Sequence, residues 1–306
     1  MAVRSSRRAL CAAARLEEQW RLYVGLCGTW RGTWRRYAVE SAGTLSLKQE
    51  FRAVCSPALA ADGRSVRHAN RYEPGFAPPG PRSSRLAEDG LEEVDFGSFD
   101  RTNFQQPFGP HSAALYGDDC AVIAPRCLGA GGSAPVVEVV LAAGTSPRRR
   151  QRLVAVWRRA PEDDDGAATL DSITTISELD AGAEGSSCAE PSETAVAGGG
   201  FAGDAAAWPC VQRRAWALDG RGGGCEVSIP QSSQGDPPWT YPSHALPDRT
   251  AAWLPGRLQL PLTGRLELAL GWQWASGELL RLRALFSDGE LQGLARDRHA
   301  HSSATA

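Results

Sequence analysis

The residues able to carry chemistry are few and scattered. His68 and His111 are the histidines of the first half, and His68 lies between Arg67 and Asn70 in a strand-like run. An imidazole so placed is expected to make a structural hydrogen bond rather than to move a proton. The acidic run Glu162–Asp165 falls in an insertion and reads as a solvated loop. Glycine-rich runs occur at Gly129–Gly132, Gly198–Gly200 and Gly222–Gly224, but none leads from a strand into a helix with the Lys and spacing of a phosphate loop. There is no G-x-S-x-G, no H-E-x-x-H and no paired-carboxylate motif. His299 and His301 form an H-x-H pair without further ligands, and the eight cysteines contain no C-x-x-C or zinc spacing. No catalytic residue, metal or cofactor is therefore expected.

Composition narrows the classes further. The 306 residues are 42% hydrophobic and 22% charged, enough to bury a core. A net charge of -2 lacks the basic footprint of a nucleic-acid binder. No run approaches the roughly 18 apolar residues of a spanning helix. The cysteines, Cys27 and Cys55 among them, read as buried free thiols, with one or two disulfides as the alternative. Lys48 is the lone lysine, so the arginine count reflects a general bias and not a function.

Period then locates the elements. Leu16, Trp20, Tyr23 and Val24 recur at helical spacing and predict a short amphipathic helix, ended by Gly25 and Gly28. Trp30, Gly32 and Trp34 alternate with Arg31, Thr33 and Arg35, the pattern of a strand with one aromatic face. Further strands are expected at Leu45–Phe51, Val54–Pro57, His68–Tyr72, Val94–Phe99, Cys120–Ala124, Val136–Leu141, Leu153–Trp157 and Thr169–Leu179. About eight short strands with turn chemistry between them predict an all-β, antiparallel, closed sheet. Residues 17–180 form this first unit. Residues 181–205 hold almost no large apolar side chain and read as a flexible linker. Residues 206–295 make a second, shorter β unit. Its strands are expected at Arg257–Leu262, Leu266–Trp274 and Leu279–Phe286.

The ends differ from the body. Residues 1–16 carry Arg4, Arg7, Arg8 and Arg15 and no acid, which fits a transit peptide to an organelle such as a plastid, or a disordered basic arm on a cytoplasmic protein. Residues 296–306 read as a disordered tail. An internal repeat supports two related units: Glu138 and Glu267 each precede an arginine, Arg152 and Arg281, which in turn precedes Trp157 and Phe286, with Leu170 and Leu291 opening the next strand.

The run Gly28-Thr-Trp30-Arg-Gly32-Thr-Trp34 is the most informative. A tryptophan on a first strand can plug one end of a curled sheet, and a glycine lets the chain turn into it. This resembles the first-strand G-x-W signature of the calycin, or lipocalin-like, barrels. The wider pattern adds Gln19-Trp20, Tyr37, His68-x-Asn70-x-Tyr72, Phe96-Gly97-Ser98-Phe99, Glu138, Arg152-Leu-Val and Trp253-Leu-Pro-Gly256. Together these resemble an uncharacterised cyanobacterial and plastid domain-of-unknown-function family. That resemblance implies tandem calycin barrels, and because the about 90 residues after Ala206 are few for a closed eight-stranded barrel, the second is expected to be reduced or partly open. It also implies that Gly28, Trp30 and Arg152 close the first barrel, with Arg152 packed over Trp30. Trp34, Tyr37, Phe51, Phe99, Val139 and Trp157 would line its interior, while Glu138 and Glu267 face solvent or the partner unit. The functional expectation is non-enzymatic carriage of a small apolar molecule, a lipid, fatty acid or pigment. The alternatives are a scaffold with filled barrels and a bilin lyase-like chromophore chaperone, in which Cys27, Cys55 or a basic rim would matter.

Overall fold

The alternation from Trp30 to Trp34 does form a strand, β1 (Trp30–Val39), and it is a central one. The computed structural model describes residues 2–40, 43–77, 84–129, 134–145, 147–159, 166–181, 210–218, 224–227, 243–275 and 278–300. Ahead of β1, α1 (Ala2–Gly25) is one helix of 24 residues, so residues 2–16 extend the predicted helix instead of lying outside it. Its Ala, Arg, Leu and Glu are strong helix formers. The helix closes with the Leu26 and Cys27 N–H groups on the carbonyls of Tyr23 and Val24. Gly28 then turns the chain at φ 152°, and its N–H meets the Pro57 carbonyl.

The first half continues as β2 (Leu45–Leu59), β3 (Ser65–Tyr72), β4 (Ser84–Leu86), β5 (Glu92–Asp100), β6 (Ser112–Gly117), β7 (Cys120–Pro125), β8 (Val136–Ala143), β9 (Arg149–Arg158) and β10 (Ala167–Asp180). The two elements expected at Leu45–Phe51 and Val54–Pro57 are one strand of 15 residues. These strands form an antiparallel sheet in the order β4-β5-β3-β2-β1-β10-β9-β8-β7-β6. No ladder joins β6 to β4 or β5 among the described residues, so the expected closed barrel is an open sheet. The free edge of β6 is satisfied in another way. Gln19 of α1 donates to the Tyr116 carbonyl at 2.8 Å and accepts from the Tyr116 N–H at 2.9 Å. The Ala114 N–H donates to the Gln105 carbonyl. With these groups paired, β6 needs no neighbouring strand.

The second half supplies β11 (Cys210–Leu218), β12 (Gly224–Val227), β13 (Ser243–Leu246), β14 (Thr250–Trp253), β15 (Arg257–Gln259), β16 (Arg265–Ala275), β17 (Glu278–Ser287) and β18 (Glu290–Ala300). All but β15 make a second antiparallel sheet, β12-β11-β18-β17-β16-β14-β13. That order repeats the path β2-β1-β10-β9-β8-β7-β6 of the first sheet strand for strand. Even a bulge recurs. Trp157 pairs with Leu170 and Phe286 with Leu291, each beside a register shift. The equivalence of Glu138 and Glu267 does not hold, however. Arg152 faces Val140, two residues past Glu138, whereas Arg281 faces Gly271, four past Glu267.

Two further expectations change. β18 runs to Ala300, so the tail set at 296 begins five residues too early. The cause is Asp297, fully buried among arginines. β15 pairs with β10, so the second half adds a strand to the first sheet across the predicted boundary. The linker 181–205 lies outside the described residues apart from Ala181, whose N–H donates to the Thr29 carbonyl.

One core joins the two sheets. Val137, Val139, Leu153, Ala155, Trp157 and Ile173 of the first pack with Leu266, Leu268, Leu270, Leu282, Ala284 and Leu294 of the second. Each buried Val, Leu and Ile among them contributes about 1.5–3 kcal/mol by burial. The cavity left between Val137, Val139, Leu153, Ala155, Leu254, Leu268 and Ala269 is about 10 Å³, room for a single water at most. Among these residues the inter-sheet space is close-packed. Among the described residues, no helix is long and apolar enough to cross a membrane.

Candidate functional site

Register divides the first sheet into two faces. Directly opposed residues share a face, so Trp30 aligns with Cys55 and Asn70, Gly32 with Glu178 and Arg150, and Trp34 with Phe51, Ile176 and Arg152. Glu138 faces Val154 and Thr174 in the next row. Tyr37, opposite Ile173, belongs to the other face, as do Val139, opposite Leu153, and Trp157, opposite Leu170. The six residues expected to line one interior are thus split. Trp34, Phe51 and Phe99 lie on the inner face, while Tyr37, Val139 and Trp157 are buried toward the second sheet. Strand period explains it, because Trp34 and Tyr37 are three apart on β1 and cannot point the same way. Trp157 is anchored there by its indole N–H on the Pro255 carbonyl at 2.9 Å. The next carbonyl, that of Gly256, accepts from the Leu170 N–H, so the Trp253-Leu-Pro-Gly256 segment ties the two halves together.

The sheet curls around its inner face. Cys55 on β2 and Arg150 on β9 are three ladders apart, about 14 Å in a flat sheet. Yet the Arg150 guanidinium lies against the Cys55 thiol, and it also stacks 4.3 Å from the Trp30 ring centre. One end of the curl is plugged by α1. Trp20, Tyr23, Phe104 and Tyr116 form an aromatic cluster there, and the Trp30 indole donates to the Leu26 carbonyl at 3.2 Å.

Inside the curl lies a buried ionic network. The Arg152 guanidinium meets Glu138 at 2.6–2.8 Å, and Arg150 Nε donates to Glu178 at 2.6 Å. Arg152 Nη1 and Glu178 Oε1 stand 3.6 Å apart, beyond hydrogen-bond reach, and each lacks a hydrogen-bond partner. Arg152 stacks over Trp34 at 5.3 Å, not over Trp30, a place taken by Arg150 and, at 5.5 Å, by Arg148. Register again decides, since Arg152 shares a row with Trp34 and Arg150 lies one row nearer Trp30. Glu138, expected to face solvent or the partner unit, is instead buried under Arg152 on the inner face, while Glu267 is partly exposed and approaches Arg283. Gly32 makes room for this network. A Cβ there would sit 1.9 Å from the Ser177 carbonyl oxygen and 2.8 Å from Glu178 Cγ.

His68, Asn70, Tyr72 and Cys55 complete the polar part. His68 Nε2 lies 3.0 Å from Asn70 Oδ1 and 3.5 Å from Cys55 Sγ, and the Asn70 amide donates to the Tyr72 hydroxyl at 2.9 Å. Burial, aided by the charges of Arg152 and Arg150, pulls the imidazole down to about 4. Burial also pushes the Cys55 thiol up, against the pull of both arginines, and the Tyr72 phenol to about 12. A neutral imidazole whose Nε2 proton goes to Asn70 cannot use that nitrogen to deprotonate Cys55. These groups hold a shape and do not form a nucleophile and base. Cys27, with its thiol likewise pushed up to about 12 by burial, is no more reactive.

Beyond this network the inner face is apolar and only partly covered. Trp34, Phe51, Tyr72 and Phe76 pack together at 4.8–5.8 Å between ring centres. Trp34, Phe76, Ile123 and Val154 are half-buried, whereas Val139, Leu153 and Trp157 on the opposite face are fully buried. The Trp34 indole nitrogen is itself buried and has no partner. Arg150, Glu178 and Phe76 are the residues that sequence reasoning misses, and Tyr72, though part of the quoted pattern, is given no place in the site by it. Glu178 extends the alternating row through Thr174 and Ile176, which is the signal that places it inside.

The second sheet repeats the charged theme with different residues. Asp297 receives Arg213, Arg281 and Arg283 at 2.5–3.1 Å, and despite burial these cations hold its carboxyl below the usual range. His299 lies in β18, and His301 is outside the described residues. No cluster of three metal-ligating side chains occurs among the described residues.

No protein-family model matches the chain, and no curated protein does. Among solved structures it is similar to a protein of unknown function from the DUF3598 family of Nostoc punctiforme. The TM-score is 0.54 and the identity 19%, over 92% of this chain and 98% of that one. The fold is that of a DUF3598 protein. The expected likeness to an uncharacterised cyanobacterial domain is therefore met at the level of fold.

Proposed function

We propose that this chain is a non-enzymatic binding protein for a small, largely apolar molecule, held on the inner face of the first sheet. The observation that carries this reading is the contrast between the two faces. The face toward the second sheet is filled. The inner face instead leaves Trp34, Phe76, Ile123 and Val154 half-buried around buried, unpartnered donors on Arg152 and Trp34. Binding sites for small molecules combine such apolar walls with a few fixed polar groups. The curl, the first-strand tryptophan and the α1 plug suit a calycin-type carrier whose first unit is an open barrel and whose second unit is a shortened copy. The half-buried Cys27 and the buried Cys55, both with thiols pushed up by desolvation, speak against a chromophore-attaching role.

Extraction of the purified full chain, followed by mass spectrometry, tests the proposal. A stoichiometric lipid or pigment is expected, and it should be lost from Trp34→Ala while the circular-dichroism spectrum stays β-rich. Protein that is consistently empty, and that takes up no apolar probe, would favour a scaffold.

A further inference from the structure

We propose that the polar end of the bound molecule is an uncharged hydrogen-bonding group, a carbonyl or hydroxyl, and not a carboxylate or phosphate. This rests on the inner face being the binding face. The first reason is charge. The two buried guanidinium groups, Arg150 and Arg152, are matched one for one by Glu138 and Glu178. Arg36, nearer the open end, is engaged by Gln49. From the strands packed across the curl, His68, Cys55 and Tyr72 add no charge near neutral pH, since burial favours the neutral form of each. The cluster therefore has no cation to spare.

The second reason is the unmet hydrogen-bonding capacity. It centres on two neighbouring donors, Arg152 Nη1 and Trp34 Nε1, and one acceptor, Glu178 Oε1, with Arg150 Nη2, nearer Trp30, as a third unmet donor. The first two are neighbours because Arg152 stacks on the Trp34 ring. A carbonyl oxygen would accept from both. A hydroxyl would accept from them and also donate to Glu178. A carboxylate would satisfy the donors but bury a second negative charge beside Glu178, with nothing to balance it. The aromatic group of Trp34, Phe51, Tyr72 and Phe76 would take the apolar body.

Calorimetric titration of the full chain with dodecanol, 2-dodecanone and dodecanoate, at about pH 7.5 where the acid is ionised, tests this. The alcohol and ketone are expected to bind roughly tenfold or more tightly than the acid. Glu178→Gln should leave one cation unmatched and reverse that order. Trp34→Phe keeps the ring and removes one donor, so it should weaken the ketone by roughly threefold to tenfold. Dodecanoate binding as well as the neutral chains would overturn the inference and leave carriage standing. Binding of none of the three would overturn both. Should Glu178→Gln fail to fold, Trp34→Phe decides, and an unchanged ketone affinity overturns the proposal.

Discussion

His68 sits where a proton would be costly. Its Nε2 is engaged by Asn70, Phe96 stacks on its ring at 5.1 Å, and two guanidinium groups lie near. With the imidazole at about 4 in the folded chain and 6.5 as its ordinary value, the unfolded chain binds more protons between those limits. Stability from this residue is therefore complete above about pH 6.5 and declines as pH falls toward about 4, by up to about 3 kcal/mol. Urea midpoints at about pH 7.5 and 4.5 should fall less in His68→Gln than in the parent. Equal falls would mean that the imidazole titrates as if in water. Trp30 makes a simpler case. It is fully buried, bonded to Leu26 and stacked on Arg150, so Trp30→Ala should cost about 3–5 kcal/mol in the same measurement. A loss below about 1 kcal/mol would place its ring outside the core.

At the scale of elements, β1 and β10 are positioned by a missing side chain. Ser177 and Glu178 cross Gly32 so closely that a methyl group has no room, and both neighbours at the shortest distances are backbone. Gly32→Ala should therefore cost more than about 3 kcal/mol, well above an ordinary overpacking change. It should also disturb the Arg150–Glu178 pair. A thermal melt indistinguishable from the parent would show that the strands can part there. The same elements show what the sequence could and could not tell. The alternation of Trp30 and Trp34 was enough to place β1, and the odd spacing from Trp34 to Tyr37 already assigned them to opposite faces. The choice between Arg150 and Arg152 over Trp30 was different. It depends on the β9–β10 register, which a bulge between Leu170 and Ser172 sets and which no local pattern announces. Closure failed for a similar reason. The free edge of β6 is satisfied by Gln19 from almost a hundred residues away, a long-range pairing invisible to periodicity. Nor could α1 be bounded from Leu16 alone, because its earlier turns lack an apolar stripe and rest on helix propensity.

For the whole molecule, the repeated strand order suggests two copies of one unit, but the copies do not stand apart. Trp157 of the first sheet donates to Pro255, β15 of the second half extends the first sheet, and Val139 and Leu268 share one apolar core. Arg35 and Ser177 of the first sheet meet Asp248 in the β13–β14 turn as well. A sheet stripped of its partner would expose Val137, Val139, Leu153 and Trp157 together, a patch that single domains rarely tolerate. The chain is therefore expected to unfold in urea as one cooperative unit, with tryptophan fluorescence and far-ultraviolet circular dichroism giving coincident transitions. Leu282→Asp, a charge set into the second sheet's side of the shared core, should move both curves to lower urea together. Two separated transitions, with only the later-melting one untouched by Leu282→Asp, would mean that each sheet carries its own stability and that the contact between them is secondary.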